Sequence, residues 1–235
     1  TRYRSSAASD VYKRQAFGYP FEDEGAFFPG LQFQPKTAAT LWDLVEKYTG
    51  SDNHFYGADF YKRHDLEFYR YYLSPYGKGD RYRFRQRLTE IACSAITAPH
   101  PVLKCIGAAN VGTGSLAGMR ILRYLSAEMS ESLSIWPFKQ PTKNSGIVEV
   151  FPRLYFKLAN TDPSLWQNRE NINQTLAFYK SEKLSDHIEI NREDEADALV
   201  SAAALRLLSS DEELWSAPKS FESAIKAEGW IFGVK

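Results

Sequence analysis

Residues 193–209 (EDEADALVSAAALRLLS) carry four acids in their first five positions and only one further charge, Arg206. The remainder is apolar, small and rich in alanine, so the stretch predicts one long helix packed closely against a sheet over most of its circumference. Its start places Asp194 and Asp197 three residues apart, on one face of a single turn. Acids at that position are also favoured by the helix dipole and as caps, so the spacing alone leaves both a chemical and a structural role open.

The rest of the chain alternates between helical and extended patterns. Residues 37–49 place Leu41, Leu44, Val45 and Tyr48 at helical spacing, with Thr37 as cap and Gly50 as stop. Helices are also expected over 89–98, 119–125 and 168–183. Residues 147–151 (IVEVF), bounded by Gly146 and Pro152, give the clearest strand, residues 101–106 (PVLKCI) a shorter one, and 228–234 a terminal loop or short strand. Such alternation predicts an α/β fold with a mostly parallel sheet and helices on its faces, interrupted by a mainly helical insertion at about 36–100.

Glu149 is the one charge inside the 147–151 strand. Alternation puts Val148 and Val150 on one face and Ile147, Glu149 and Phe151 on the other, and a carboxylate there needs a partner, either a metal or an arginine such as Arg153. The segment 112–118 (GTGSLAG) invites comparison with a phosphate loop, yet it lacks both the Walker ending and a GxGxxG pattern, so a glycine-rich turn is expected. Residues 62–87 hold eight basic against three acidic residues among many aromatics. That pattern suits either base stacking or a helical core with a solvated basic face, and the core is favoured.

Of 235 residues, 43% are apolar, enough for one α/β domain. No stretch approaches the roughly 18 apolar residues of a membrane-crossing helix. Two cysteines, Cys93 and Cys105, have no ligand-spaced neighbour, so a reducing, cytoplasmic setting is expected. Residues 5–15 (SSAASDVYKRQ) resemble a translated sequencing-library adapter, and 1–15 are set apart from the domain at 16–235. They hold four cations against one acid, so the remainder of a neutral chain carries about −3 and offers no global basic field.

Taken in order, Arg87-Leu88-Thr89-Glu90, Val111 through Gly118, Trp136-Pro137-Phe138, Val148-Glu149-Val150-Phe151-Pro152, the Asp194-x-x-Asp197-Ala-Leu helix start and Glu228-Gly229-Trp230-Ile231 resemble the predicted RNase H-like nucleases, a family catalogued as a domain of unknown function. The resemblance runs along most of the chain, and the helix start is also similar to that of Holliday-junction resolvases. It implies a ribonuclease H-like sheet that holds Mg²⁺ or Mn²⁺ for phosphodiester hydrolysis of nucleic acid. Asp194, Asp197 and Glu149 match the catalytic, metal-binding acids. Arg87 and Glu90 are expected to form an ion pair lining the substrate cleft. Family members also carry an acid in a first strand and another before the Phe-Gly-x-Pro segment. Neither precedes Ala16, so the expectation is a domain without its first strands, inactive as it stands, with a non-catalytic module binding nucleic acid or a protein partner as the alternative.

Overall fold

The computed structural model describes residues 16–32, 34–50, 54–107, 110–141, 145–216, 218 and 221–235. The adapter-like residues 1–15 lie outside this set.

Helix α1 (Ala38–Thr49) forms where the spacing predicts it, with the Thr40 backbone N–H donating to Thr37 Oγ1 at 3.2 Å and the Gly50 N–H closing on the Glu46 carbonyl. Its buried face centres on Leu41, Trp42 and Val45, whereas Leu44 and Tyr48 are only partly covered. Next come the short helix α2 (Asp59–Lys62), a 3₁₀ turn (Glu67–Tyr71) and a two-residue hairpin, β1 (Leu73–Ser74) with β2 (Gly77–Lys78). Residues 36–100 are thus helical in part, with an antiparallel hairpin among the helices.

The aromatic segment is core. Phe60, Phe68, Tyr71 and Tyr72 are buried with Phe28, and the Phe60 and Phe68 rings stack at 4.4 Å. Much of its basic excess is neutralised by pairing: Arg70 with Asp80 and Glu67, Arg63 with Asp65, Arg83 with Glu24 and the buried Arg85 with Asp23.

Several expectations change. Residues 101–106 form no strand, because Lys104 turns back on Pro101 and pairs only through a single parallel bridge to Leu73. The glycine-rich run is no turn but the start of the longest described helix, α4 (Val111–Glu128), after the short α3 (Leu88–Cys93). Two of its first-turn N–H groups are spent within the fold, Gly112 on the Lys104 carbonyl and Thr113 on Asn110 Oδ1, and so are not available to a phosphate. Glycine is needed at 112 because a Cβ there would meet Cys105 Sγ at 2.4 Å and the Val102 carbonyl oxygen at 2.7 Å.

Strands β3 (Leu133–Ile135) and β4 (Ser145–Ile147) pair in parallel, and Glu149 adds a parallel bridge to Ile231. The expected 147–151 strand therefore begins earlier and ends sooner, since Pro152 opens helix α5 (Pro152–Leu158). Helix α6 (Arg169–Phe178) and the acid-led α7 (Glu193–Leu208) follow, and α8 (Glu222–Glu228) precedes the tail. The alanines of α7 permit close approach as predicted, but the partners are α5 and α6 rather than a sheet, and Ala198 and Ala202 remain exposed. Helices with small sheets make up the described architecture, in place of one extensive parallel sheet.

Two hydrophobic clusters result. One gathers α1, α2, the aromatic segment and α4; the other gathers α5, α6, α7 and the tail. No described helix is long and apolar enough to cross a membrane. Both cysteines are free and buried, and burial pushes each thiol up to about 12.

Gly112→Ala is expected to destabilise the fold by about 1–3 kcal/mol through overpacking. Gly146→Ala, whose Cβ would meet Pro141 at 3.4 Å and the Trp215 ring at 3.9 Å, both ordinary contacts, should stay within about 0.5 kcal/mol. Urea unfolding of both variants measures the contrast.

Candidate functional site

Arg87 holds an extended conformation just before α3, where its backbone N–H and its guanidinium both reach the carboxylate of Glu90 one turn on, at 3.1 and 2.8 Å. The other two guanidinium nitrogens form a fork on Glu149, Nη1 to Oε2 at 2.8 Å and Nη2 to Oε1 at 2.5 Å. Nη1 also donates to the Glu228 carbonyl oxygen at 3.1 Å. The expected ion pair of Arg87 and Glu90 is present, and the partner of Glu149 is Arg87 rather than the exposed Arg153.

All three side chains are buried, at 2%, 1% and 4% exposure for Arg87, Glu90 and Glu149. Burial alone would lower the guanidinium pKa, but the charges of Glu149 and Glu90 outweigh it and hold it above the ordinary value. Desolvation raises Glu90 above the usual carboxylate range against the pull of Arg87. An acid with a raised folded pKa favours the folded state at low pH and loses that contribution as pH rises through the folded value. The arginine offsets this penalty for ionised Glu90.

Backbone groups complete the cluster. Glu149 Oε2 also accepts from the Phe17 N–H at 2.9 Å, and the Glu149 carbonyl accepts from Phe232 N–H. Thr89 Oγ1 accepts from Ile231 N–H at 2.9 Å. The carboxylate of Glu228 accepts from Phe21, Glu22 and Leu88 N–H at 2.6, 2.9 and 2.7 Å, satisfying a first-turn donor of α3. Glu228 stood in the sequence only as part of a closing motif. Its role shows once the tail folds back 207 residues to meet Phe21.

The acids of α7 sit apart from this cluster. Glu195 is turned back to cap the helix, accepting from the Asn191 and Arg192 N–H groups, which lowers its pKa. Asp194 and Asp197 are half-buried. Asp197 lines a cavity of about 50 Å³ together with Glu193, His100, Arg153 and Phe151. A neighbouring cavity of about 40 Å³ is lined by Arg87, Glu90, Glu149, His100 and Phe151. The two therefore adjoin through His100 and Phe151, and each has room for water or an ion but not a nucleotide. Glu193, one turn before Asp197, and His100 were not singled out in the sequence. The i,i+4 acid spacing could have shown the first, whereas nothing local marks the second.

Carboxylates on α7 are hard donors of the kind Mg²⁺ or Mn²⁺ takes. Glu149 does not fit as a third ligand in this arrangement, because both its oxygens are engaged by Arg87 and one also by Phe17. Among the described residues no three His, Cys, Asp or Glu side chains converge in a metal-holding group. Of the expected trio, Asp197 and Glu149 line two different, adjoining cavities, and Asp194 lines neither of them. Arg87 is paired with both Glu90 and Glu149, and all three line the smaller of the two cavities.

Comparison of the chain with protein-family models, with curated proteins and with solved structures finds no match.

Arg87→Met leaves two buried carboxylates without their counter-charge and is expected to cost about 3–5 kcal/mol near neutral pH. Without the guanidinium the folded pKa of Glu90, already raised by burial, rises further, so the folded variant binds more protons than the unfolded chain. The deficit should shrink as pH falls through that raised value and be largest above it, in urea titrations at about pH 5 and about pH 7. Replacing Arg87, Glu90 and Glu149 together by Met, Leu and Met should recover most of the loss.

Proposed function

We propose that the chain is an RNase H-like domain directed at the phosphodiester backbone of nucleic acid, with Asp194 and Asp197 as the acids that face Mg²⁺ or Mn²⁺. The observation that carries this reading is the adjoining of two cavities. Asp197 and Glu149, 48 positions apart in the chain, open onto spaces that share His100 and Phe151. Asp197, Glu149, Arg87 and Glu90 thereby border adjoining spaces, which supports the reading.

A bound divalent ion would supply charge neutralisation and an activated water at the phosphate. The chain's own residues have narrower tasks. Asp197 and Glu193 present carboxylate oxygens at the mouth of the first cavity, and Asp194 adds a carboxylate within the same turn of α7. Glu149, Arg87 and Glu90 act as positioning residues: they fix the extended segment that carries Phe151, and hence the shared wall of the cleft, against α3. Arg153 and His100 line the cavity beside Asp197 and supply positive or proton-donating groups toward a phosphate.

A second reading, a non-catalytic module that binds nucleic acid or a protein partner, is favoured by the commitment of Glu149 to Arg87. Both readings are tested with end-labelled single-stranded and duplex RNA and DNA in Mg²⁺, in Mn²⁺ and in EDTA. Cleavage that requires the metal and falls at least about a hundredfold in Asp197→Asn, with unfolding unchanged, supports the first. Salt-dependent binding without cleavage, unchanged in Asp194→Asn and Asp197→Asn, supports the second. Neither binding nor cleavage would overturn both.

A further inference from the structure

A recess of about 550 Å³ lies away from the acidic cleft, between α1, α4, β3 and α8. That volume is in the range of small-molecule sites. Trp42, Leu133, Ile135 and Phe138 form its apolar walls, while Lys139 and Lys226 stand at its mouth. Its described lining includes no acid.

The walls are fixed in advance of any ligand. The Trp42 and Phe138 rings meet edge to face at 5.3 Å and 85°. The indole N–H of Trp42 donates to the buried Phe17 carbonyl at 2.7 Å, so the ring cannot swing out to fill the space without leaving that acceptor unpaired. Leu133 and Ile135 belong to β3, whose pairing with β4 holds their backbone.

The lysines differ in how they are held. Lys139 Nζ donates to the Ser130 carbonyl at 2.6 Å and to that of Leu133 at 3.4 Å, which anchors the ammonium at the rim and leaves one of its three N–H donors for something else. Lys226 is largely exposed and has only a loose 3.8 Å pairing with Glu222, which a stronger anion can displace. An apolar chamber with a positive mouth selects one kind of occupant by charge and solvation together: an apolar body goes in and a carboxylate or sulfonate stays at the rim.

We propose that this recess binds a small amphipathic anion, with its apolar part against Trp42, Leu133, Ile135 and Phe138 and its acidic head between Lys139 and Lys226. Nothing in this binding involves the acids of α7, so it stands or falls independently of the phosphodiesterase reading.

The test uses the full chain in EDTA with two probes, 8-anilinonaphthalene-1-sulfonate for an aromatic body and decanoate for an aliphatic one, followed by calorimetry and tryptophan fluorescence. Saturable binding of one equivalent of either probe is expected, and decylamine, of equal length and opposite charge, should fail to compete. Lys226→Glu, at an exposed position, should weaken binding about tenfold. Ala39→Trp, which fills the recess from the exposed rim of α1, should abolish it, with both variants unfolding at the wild-type temperature. Asp197→Asn should bind as the wild type does. The proposal is overturned by absent or non-saturating binding, by equal competition from decylamine, or by variants that bind undiminished. Sedimentation showing a dimer that Ala39→Trp dissociates would also overturn it, since the recess would then be covered by a second copy.

Discussion

The buried guanidinium of Arg87 is the point on which this architecture depends. It holds two carboxylates from different parts of the chain, Glu90 on its own helix and Glu149 on the extended segment after β4, along with the carbonyl of Glu228 in the tail. A fork of this kind fixes direction as well as distance, because the planar donors match a carboxylate in only a few orientations. The buried charges are costly to desolvate, so the cluster defines relative placement more than it adds net stability. Around it the segment at 17–22, α3, residue 149 and the tail at 228–232 are joined by backbone donors that accept no alternative register.

That placement explains why the two hydrophobic clusters meet where they do. Ile147 packs toward the aromatic cluster and Val148 and Val150 toward the helical one, so the Glu149 segment runs along the boundary between them. The alternation of side chains along this stretch was legible in the sequence as far as Val150, although Phe151 packs with Val148 and Val150 rather than with Ile147, and the need for a partner to the single charge was legible too. The identity of that partner was not. Arg153 is near in sequence but exposed on α5, whereas Arg87 is 62 residues away and becomes the neighbour only through the packing of α3.

Local chemistry was legible where local chemistry decides the outcome. Thr37 and Gly50 bound α1, and the acid-led α7 begins at Glu193, because caps and periodicity act within a turn or two. Pattern reasoning erred where tertiary contacts overrule it. The run 112–118 looks like a turn because it is rich in glycine, yet those glycines serve close helix approach, with Cys105 and the Val102 carbonyl filling the space a side chain would need. Residues 101–106 have strand composition, but without a neighbouring strand beyond Leu73 their backbone bonds go into turns. Similarly, Asp197 and Glu149 were each visible, while the sharing of His100 and Phe151 by the cavities they line arises only in the packed fold.

The reach of Glu228 has a consequence for the order of folding. Its carboxylate closes on Phe21, Glu22 and Leu88, and the residues beside it complete the shell of Glu149 and Thr89. The carboxylate's contacts join positions 140 to 207 residues apart, so each carries the closure entropy of a very long loop. Until the 228–232 segment docks, the Leu88 N–H lacks its acceptor and the bridge beside Glu149 stands open. The docking of this segment therefore belongs to the late, slow phase of folding, after the local helices have formed.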